Sequence, residues 1–160
     1  MIWSKIRKEL HDRLDINLKG RLDYHITSYK NSTGFIGRAW ITIDGKEFIN
    51  FSNLETLNVF RSLSNSSVGT IYKSHNPIED NERKDGNIME KGEFSKYDFC
   101  ETAWKFISLD IDEAIIHENA IIRALSVVDR RIGKRRLEVI KNNEKHPLVL
   151  KMLALRNNIN

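Results

Sequence analysis

Between Asp129 and Val139 the chain reads DRRIGKRRLEV, with Arg130, Arg131, Lys134, Arg135 and Arg136 crowded around Gly133. Cationic groups at this density bind anions: a phosphate, the carboxylates of an acidic protein, or acidic side chains of the same chain. Helical phase constrains their placement. Ile121, Leu125, Val128 and Ile132 share one face of a 3.6-residue helix. Continued without a break, that helix would turn Arg135 and Arg136 onto the apolar face, where unpaired guanidinium groups are prohibitive. The sequence therefore predicts a break at Gly133, in the left-handed conformation that glycine tolerates. Arg130 and Arg131 would then close one helix, where cations complement the dipole. Lys134, Arg135 and Arg136 would open the next, where cations are unfavourable unless an anion sits nearby.

Two readings stay open. The cluster is either a site for an external anionic partner, or a solvated face with salt bridges to the chain's own acidic segment. The second has substance because charge is polarised. Residues 77–101 carry eight acidic side chains against four basic, and residues 121–160 carry ten basic against three acidic, within a net charge of +4. An external partner would be an acidic protein surface or nucleic acid. From Ile121 onward there is no aromatic residue, so stacking on single strands is not expected there. A surface that reads only phosphates stays open.

Catalytic signatures are missing. The chain has no G-x-x-x-x-G-K-[ST], G-x-G-x-x-G or G-x-S-x-G. Its five histidines are scattered without metal-ligand spacing, and Cys100 is its only cysteine. An internal disulfide and a Cys-rich zinc site are excluded, and Cys100 reads as a small buried hydrophobe. No catalytic residue, metal site or cofactor is assigned. Asp23, His25 and Tyr29 share one strand face, with Arg38 near in sequence, and could host acid–base chemistry; the polar outer face of an antiparallel sheet explains the same alternation. Asp110, Asp112 and Glu113 read as helix capping rather than a metal cluster. Trp3, Trp40 and Trp104 read as core anchors.

The elements that position these residues follow from periodicity. Ser4 to Leu18 reads as an amphipathic helix, with Gly20 suited to its end. RLDYHITSY alternates as a strand. RAWITIDGKEFINF is a hairpin about Asp44-Gly45, whose turn pairs Ile41 with Phe48, Trp40 with Ile49 and Thr42 with Glu47. Leu54 to Leu63 reads as a short helix, and 64–92 as a polar surface segment. The C-terminal half is helical: Phe94 to Leu109 with Tyr97, Cys100, Trp104 and Ile107 on one stripe, a short helix after Asp110, one capped by Asn119, and a last one opened by Pro147. The fold class is α+β, with an N-terminal helix, a small antiparallel sheet of about three strands and a helical C-terminal half. At 160 residues one domain, 1–160, is expected. With no run of about 18 apolar residues and no signal-peptide pattern, a cytoplasmic protein without membrane association is expected.

WSKI, GRLDYHITSY, GRAWITIDGKE, IIRALSVVDRRIGKRRL and HPLV…LR, in that order, resemble a family of small uncharacterised bacterial proteins with a W-S-K start and a D-R-R-[IV]-G-K-R-R helix pair. The resemblance covers both ends and leaves the middle, about 62–92, poorly matched. It implies a bacterial, cytosolic protein and carries over no activity. The expected function is a non-catalytic protein-binding module, such as an immunity- or antitoxin-like inhibitor or a small regulatory partner. The alternative is a nucleic-acid- or phosphate-binding protein using the cluster 130–136.

Overall fold

The computed structural model describes residues 2–28, 37–52 and 94–157. The expected short helix at 54–63 and polar segment at 64–92 lie outside the described residues. The chain divides into two compact units, Met1–Asp23 with Cys100–Asn160, and Tyr24–Phe99.

The first unit opens with α1 (Trp3–Arg13), which buries Ile6 and Leu10 one turn apart. It stops five residues before the expected end. Leu14 is extended, at φ −57° and ψ 143°, and pairs with Asp129 in an isolated antiparallel bridge. The Asp15 N–H donates to the Val128 carbonyl (2.9 Å), and the Arg130 N–H to the Arg13 carbonyl (2.8 Å). A tertiary backbone pairing thus replaces the last turns that local periodicity favours. Leu14 and Leu18 stay buried, so the apolar repeat serves the core without being helical throughout.

The sheet has the order β1 (Leu22–Ser28), β2 (Gly37–Ile43), β3 (Lys46–Ser52) and is antiparallel. Asp44 and Gly45 both have positive φ (50° and 76°), as a two-residue turn between twisted strands requires. Thr42 pairs with Glu47 as expected, but Ile41 faces Ile49 and Trp40 faces Asn50. The register shifts between Ile41 and Thr42. That bulge takes up Phe48 as an extra residue and sets Ala39, Ile41, Ile49 and Phe51 together on the buried side. A regular ladder would have put Ile49 on the opposite face. Within this unit Phe51 stacks on Phe99 (4.7 Å between centroids), and Tyr24 lies 6.4 Å from the same ring.

α2 (Lys96–Ser108) crosses the boundary between the units. Its buried positions are Lys96 at its start, then Phe99, Thr102, Ala103 and Phe106, one step round from the expected stripe. Trp104 is exposed and Cys100 half-buried. Both stripes contain apolar residues. Tyr97 and Trp104 carry polar tips that tolerate water.

Asp110 caps α3 (Ile111–Ile115) by accepting the Asp112 N–H at 2.8 Å. Asn119 caps α4 (Ala120–Val127) by accepting the Ile121 and Ile122 N–H groups at 2.8 and 3.4 Å. Seven of the eight α4 residues are buried, as suits a helix apolar nearly all round. It packs against α3 and α6 (Pro147–Asn157), and α5 (Lys134–Asn143) also contacts α6. The helical break falls before Gly133, at Val127. Gly133 is extended at φ −83° and ψ 166° and forms the N-cap of α5. The expected left-handed glycine is therefore corrected. Residues 128–133 change direction through bonds to neighbouring segments, and no positive φ is needed.

Candidate functional site

The five cations are held out on a loop and helix start whose inner side is buried. Asp129 is 1% exposed and Ile132 fully buried. Beneath them lies Arg156 of α6, only 4% exposed. Its guanidinium donates to the carbonyls of Val127 (2.6 Å), Asp129 (2.8 Å) and Ile132, and to the Asp15 carboxylate at 3.0 Å. A buried cation is tolerable when its fork of donors meets acceptors in this way. Burial pulls the Arg156 pKa below its ordinary value, against the opposing effect of Asp15 and Asp129.

Arg131 turns back onto Asp129 and binds it through two nitrogens, at 3.0 and 2.7 Å. That hydrogen bond raises the Arg131 pKa. The Asp129 carboxylate also accepts the Arg131 N–H at 2.8 Å, so it both shapes the turn and takes up one of the five charges. Arg136 reaches α3 and pairs with Asp112 at 2.6 Å, both side chains well exposed. Arg130 is exposed near Asp12, whose pKa it helps to lower after the stronger effect of Lys8. Lys134 and Arg135 are exposed and form no ion pair with any described residue. Among the described residues the internal pairings run to Asp129 and Asp112; residues 77–93 of the acidic segment lie outside the described residues.

The first turn of α5 contains no acidic residue, and Gly133 supplies no side-chain cap. Each cation there costs about 0.3–1 kcal/mol against the helix dipole. The helix carries three of them, so its local stability is sacrificed where the cations are most exposed.

The other candidates are scattered among structural roles. Asp23 is gripped by Arg7, through Nε at 2.9 Å and through a second nitrogen, and by His11 Nε2 at 2.8 Å. His25 bonds Thr42 Oγ1 at 2.9 Å and stacks on Trp40. The Arg38 guanidinium lies over the Trp40 ring, 4.3 Å from its centroid, and pairs with Glu47 at 2.6 Å. Trp40 is thus half-buried between polar neighbours, not a core anchor, and Tyr29 lies outside the described residues. Among the described residues no group of three or more His, Cys, Asp or Glu side chains is arranged to hold a metal. No described helix is long and apolar enough to cross a membrane.

Sequence reasoning missed a second feature, a groove of about 540 Å³ between the end of α3 and α5. Ile115, Ile116, Val139 and Ile140 line it together with the charged groups of Glu118, Arg123 and Glu144. The signal was present in Ile116 and Val139, which are apolar residues out of phase with their helices' buried faces.

An α+β chain with a cation cluster mounted on a buried arginine is what the fold defines. By sequence the chain belongs to the SF0329 protein family, whose model matches residues 2–157. No curated protein and no solved structure matches it.

Proposed function

We propose that this chain is a non-catalytic protein-binding module of the bacterial cytoplasm, an immunity- or antitoxin-like inhibitor or a small regulatory partner, that docks an acidic protein through its 130–136 face. One observation carries the reading. Lys134 and Arg135 stand exposed and without an ion pair to any described residue, on a loop and helix start that Arg156 and Asp129 hold from below. Cations fixed in advance lose little entropy on meeting carboxylates, and they steer association as well as strengthening it. A protein is favoured over nucleic acid because Asp129 and Asp112 already neutralise two of the five charges. Mixed charge with exposed apolar neighbours suits a protein surface better than a phosphate backbone.

The test is affinity capture from the source cells with wild type and a Lys134→Glu/Arg135→Glu double variant, at low and high salt, analysed for protein and nucleic acid. A stoichiometric acidic protein held by wild type and lost by the variant is expected. The thermal melt should not fall, because both positions are exposed and glutamates in the first turn of α5 complement the helix dipole. Nucleic acid that washes off with salt would replace this reading with phosphate binding. A variant that captures as wild type does would remove its basis.

A further inference from the structure

Turns in the first compact unit are closed by a repeated device, in which a side chain accepts the N–H two residues further on. Asp15 closes onto Asn17 at 3.0 Å, and Asp110, Asn119 and Asp129 close onto Asp112, Ile121 and Arg131 at 2.8 Å each. Those acceptors are carboxylates or an amide, which go on accepting when the pH leaves neutrality. At two turns the acceptor is a histidine ring. His117 Nδ1 accepts the Asn119 N–H at 2.9 Å, and His146 Nδ1 accepts the Leu148 N–H at 3.2 Å. An imidazole nitrogen accepts only in the neutral ring; in the imidazolium both nitrogens are donors.

One ion pair ties these two turns together. Arg123 donates to the carbonyls of His117 (2.7 Å) and Glu118 (2.8 Å) and binds both oxygens of Glu144, at 2.8 and 3.2 Å. Glu144 in turn accepts the N–H groups of Lys145 (3.0 Å) and His146 (2.8 Å). Burial would raise the Glu144 pKa, but the bonds from Arg123 and from the two N–H groups outweigh it and hold the carboxyl below its ordinary value. The tie therefore keeps its charges through the pH range in which histidine titrates.

His117 has a second partner within reach. Its part-buried ring lines the groove beside Glu118 and Glu144. Glu144 is taken by Arg123. Glu118 is exposed and forms no side-chain hydrogen bond or ion pair among the described residues. α5 turns only the uncharged Val139, Ile140 and Asn143 to the same groove. Burial and the cations Lys105 of α2 and Arg123 of α4 oppose a proton on the ring, and Glu118 favours one; the balance lowers the His117 pKa. The neutral ring is thus the form the fold prefers, so its bond to Asn119 is complete at neutral pH and lost as the pH falls.

The bond matters because of what Asn119 does. Its side chain caps α4 by accepting the Ile121 and Ile122 N–H groups, so the His117 ring positions the cap. A proton on Nδ1 sets donor against donor and also places a cation at the positive end of the α4 dipole. We infer that the α3–α4 turn is an acid-sensitive joint: on taking a proton from water at Nδ1, His117 gives up the Asn119 N–H and turns to the Glu118 carboxylate, loosening the first turn of α4 while the Arg123–Glu144 pair keeps the turn in place. The rest of α4 is held by the core, in which seven of its eight residues are buried.

The experiment is amide exchange of the full chain by NMR between about pH 7.5 and about pH 5, with each rate divided by its intrinsic value. Protection at Asn119 should fall about tenfold more than at Arg130, as expected for the loss of one hydrogen bond with an adverse charge beside it. Arg130 is the reference because its N–H is held by the Arg13 carbonyl. His117→Asn supplies an acceptor that does not titrate, so protection at Asn119 should persist at neutral pH and no longer follow acid. Glu118→Gln, at an exposed position, should move the release to lower pH by removing the carboxylate that receives the ring. Protection at Asn119 that ignores pH in the wild type, or that still follows it in His117→Asn, would overturn the inference. So would a release unmoved by Glu118→Gln, or ring nitrogen shifts showing Nδ1 protonated at neutral pH.

Discussion

Replacing Arg156 with methionine is expected to cost about 4 kcal/mol. The methylene stem is retained, so most of the packing survives and the loss is polar. Three backbone carbonyls, at Val127, Asp129 and Ile132, lose a charged donor in a region where the arginine side chain is only 5% exposed. Stranding a buried acceptor costs about 1–3 kcal/mol. Because the loop can relax toward water, roughly 1 kcal/mol apiece is the appropriate end of that range. Asp15, at 17% side-chain exposure, can rehydrate and adds about 1 kcal/mol. The total falls within the roughly 3–5 kcal/mol typical of breaking a buried pair. It is a large part of a normal folding free energy of about 5–15 kcal/mol. Urea unfolding measures it: the midpoint should fall with the slope preserved. Arg156→Lys should recover about half, because a point charge cannot span three carbonyls as a planar fork does. Amide exchange should quicken first at Arg130 and Ile132, whose N–H groups close the loop onto Arg13 and Asp129. A loss under about 1 kcal/mol in Arg156→Met would refute the idea that this arginine mounts the cation cluster.

Two glycines make a matched pair: Gly45→Ala should cost about 1 kcal/mol at its φ of +76°, whereas Gly133→Ala, at an ordinary φ, should be nearly neutral; a Cβ meets nothing within 4 Å at either site, so urea midpoints compare backbone conformation alone. Asn119→Ala removes the acceptor for two α4 N–H groups and should lower stability by about 1 kcal/mol in the same assay. Acid should destabilise in two stages, read from urea midpoints from about pH 7 down to about pH 2. Burial, with Lys105 and Arg123, holds His117 below its ordinary 6.5 despite Glu118, so its contribution is complete above that pH and declines below it. Burial would raise Glu144, but the bonds from Arg123 and two backbone N–H groups outweigh it and hold the carboxyl below 4.5, so its contribution is lost as pH falls further; His117→Asn should remove the first stage only, and Glu144→Gln the second.

Local chemistry was legible where one residue decides. Asp44-Gly45 placed the turn, Asn119 and Asp110 placed the caps, and the impossibility of burying Arg135 and Arg136 required the break before α5. Partners distant in sequence were not legible. Nothing near Leu14 announces that it will pair with Asp129 and end α1 early. Nor does an arginine in the last turn of an apolar helix announce that three carbonyls await it, since a terminal cation near a helix end is ordinary. The bulge at Phe48 was hidden because a two-residue turn and a shifted ladder are both compatible with the same strand sequence. On α2 two apolar stripes one step apart competed, and periodicity alone does not choose between them. The groove was hidden for another reason: concavity belongs to two elements at once.

The first compact unit is assembled from the chain's two ends, with residues 24–99 lying between. That division sets an order of events. When the ribosome releases α1, its backbone partners at Val128, Asp129 and Arg130 have not been synthesised. The nascent helix must keep its apolar stripe out of other associations until they arrive, and bringing the two ends together then costs roughly 4 kcal/mol of chain entropy by the logarithmic loop-length relation. Residues 24–99 meanwhile can gather local contacts of their own. A segment made well before its partners is thus secured only after them, and slow synthesis or early proteolysis would strike α1 while it waits.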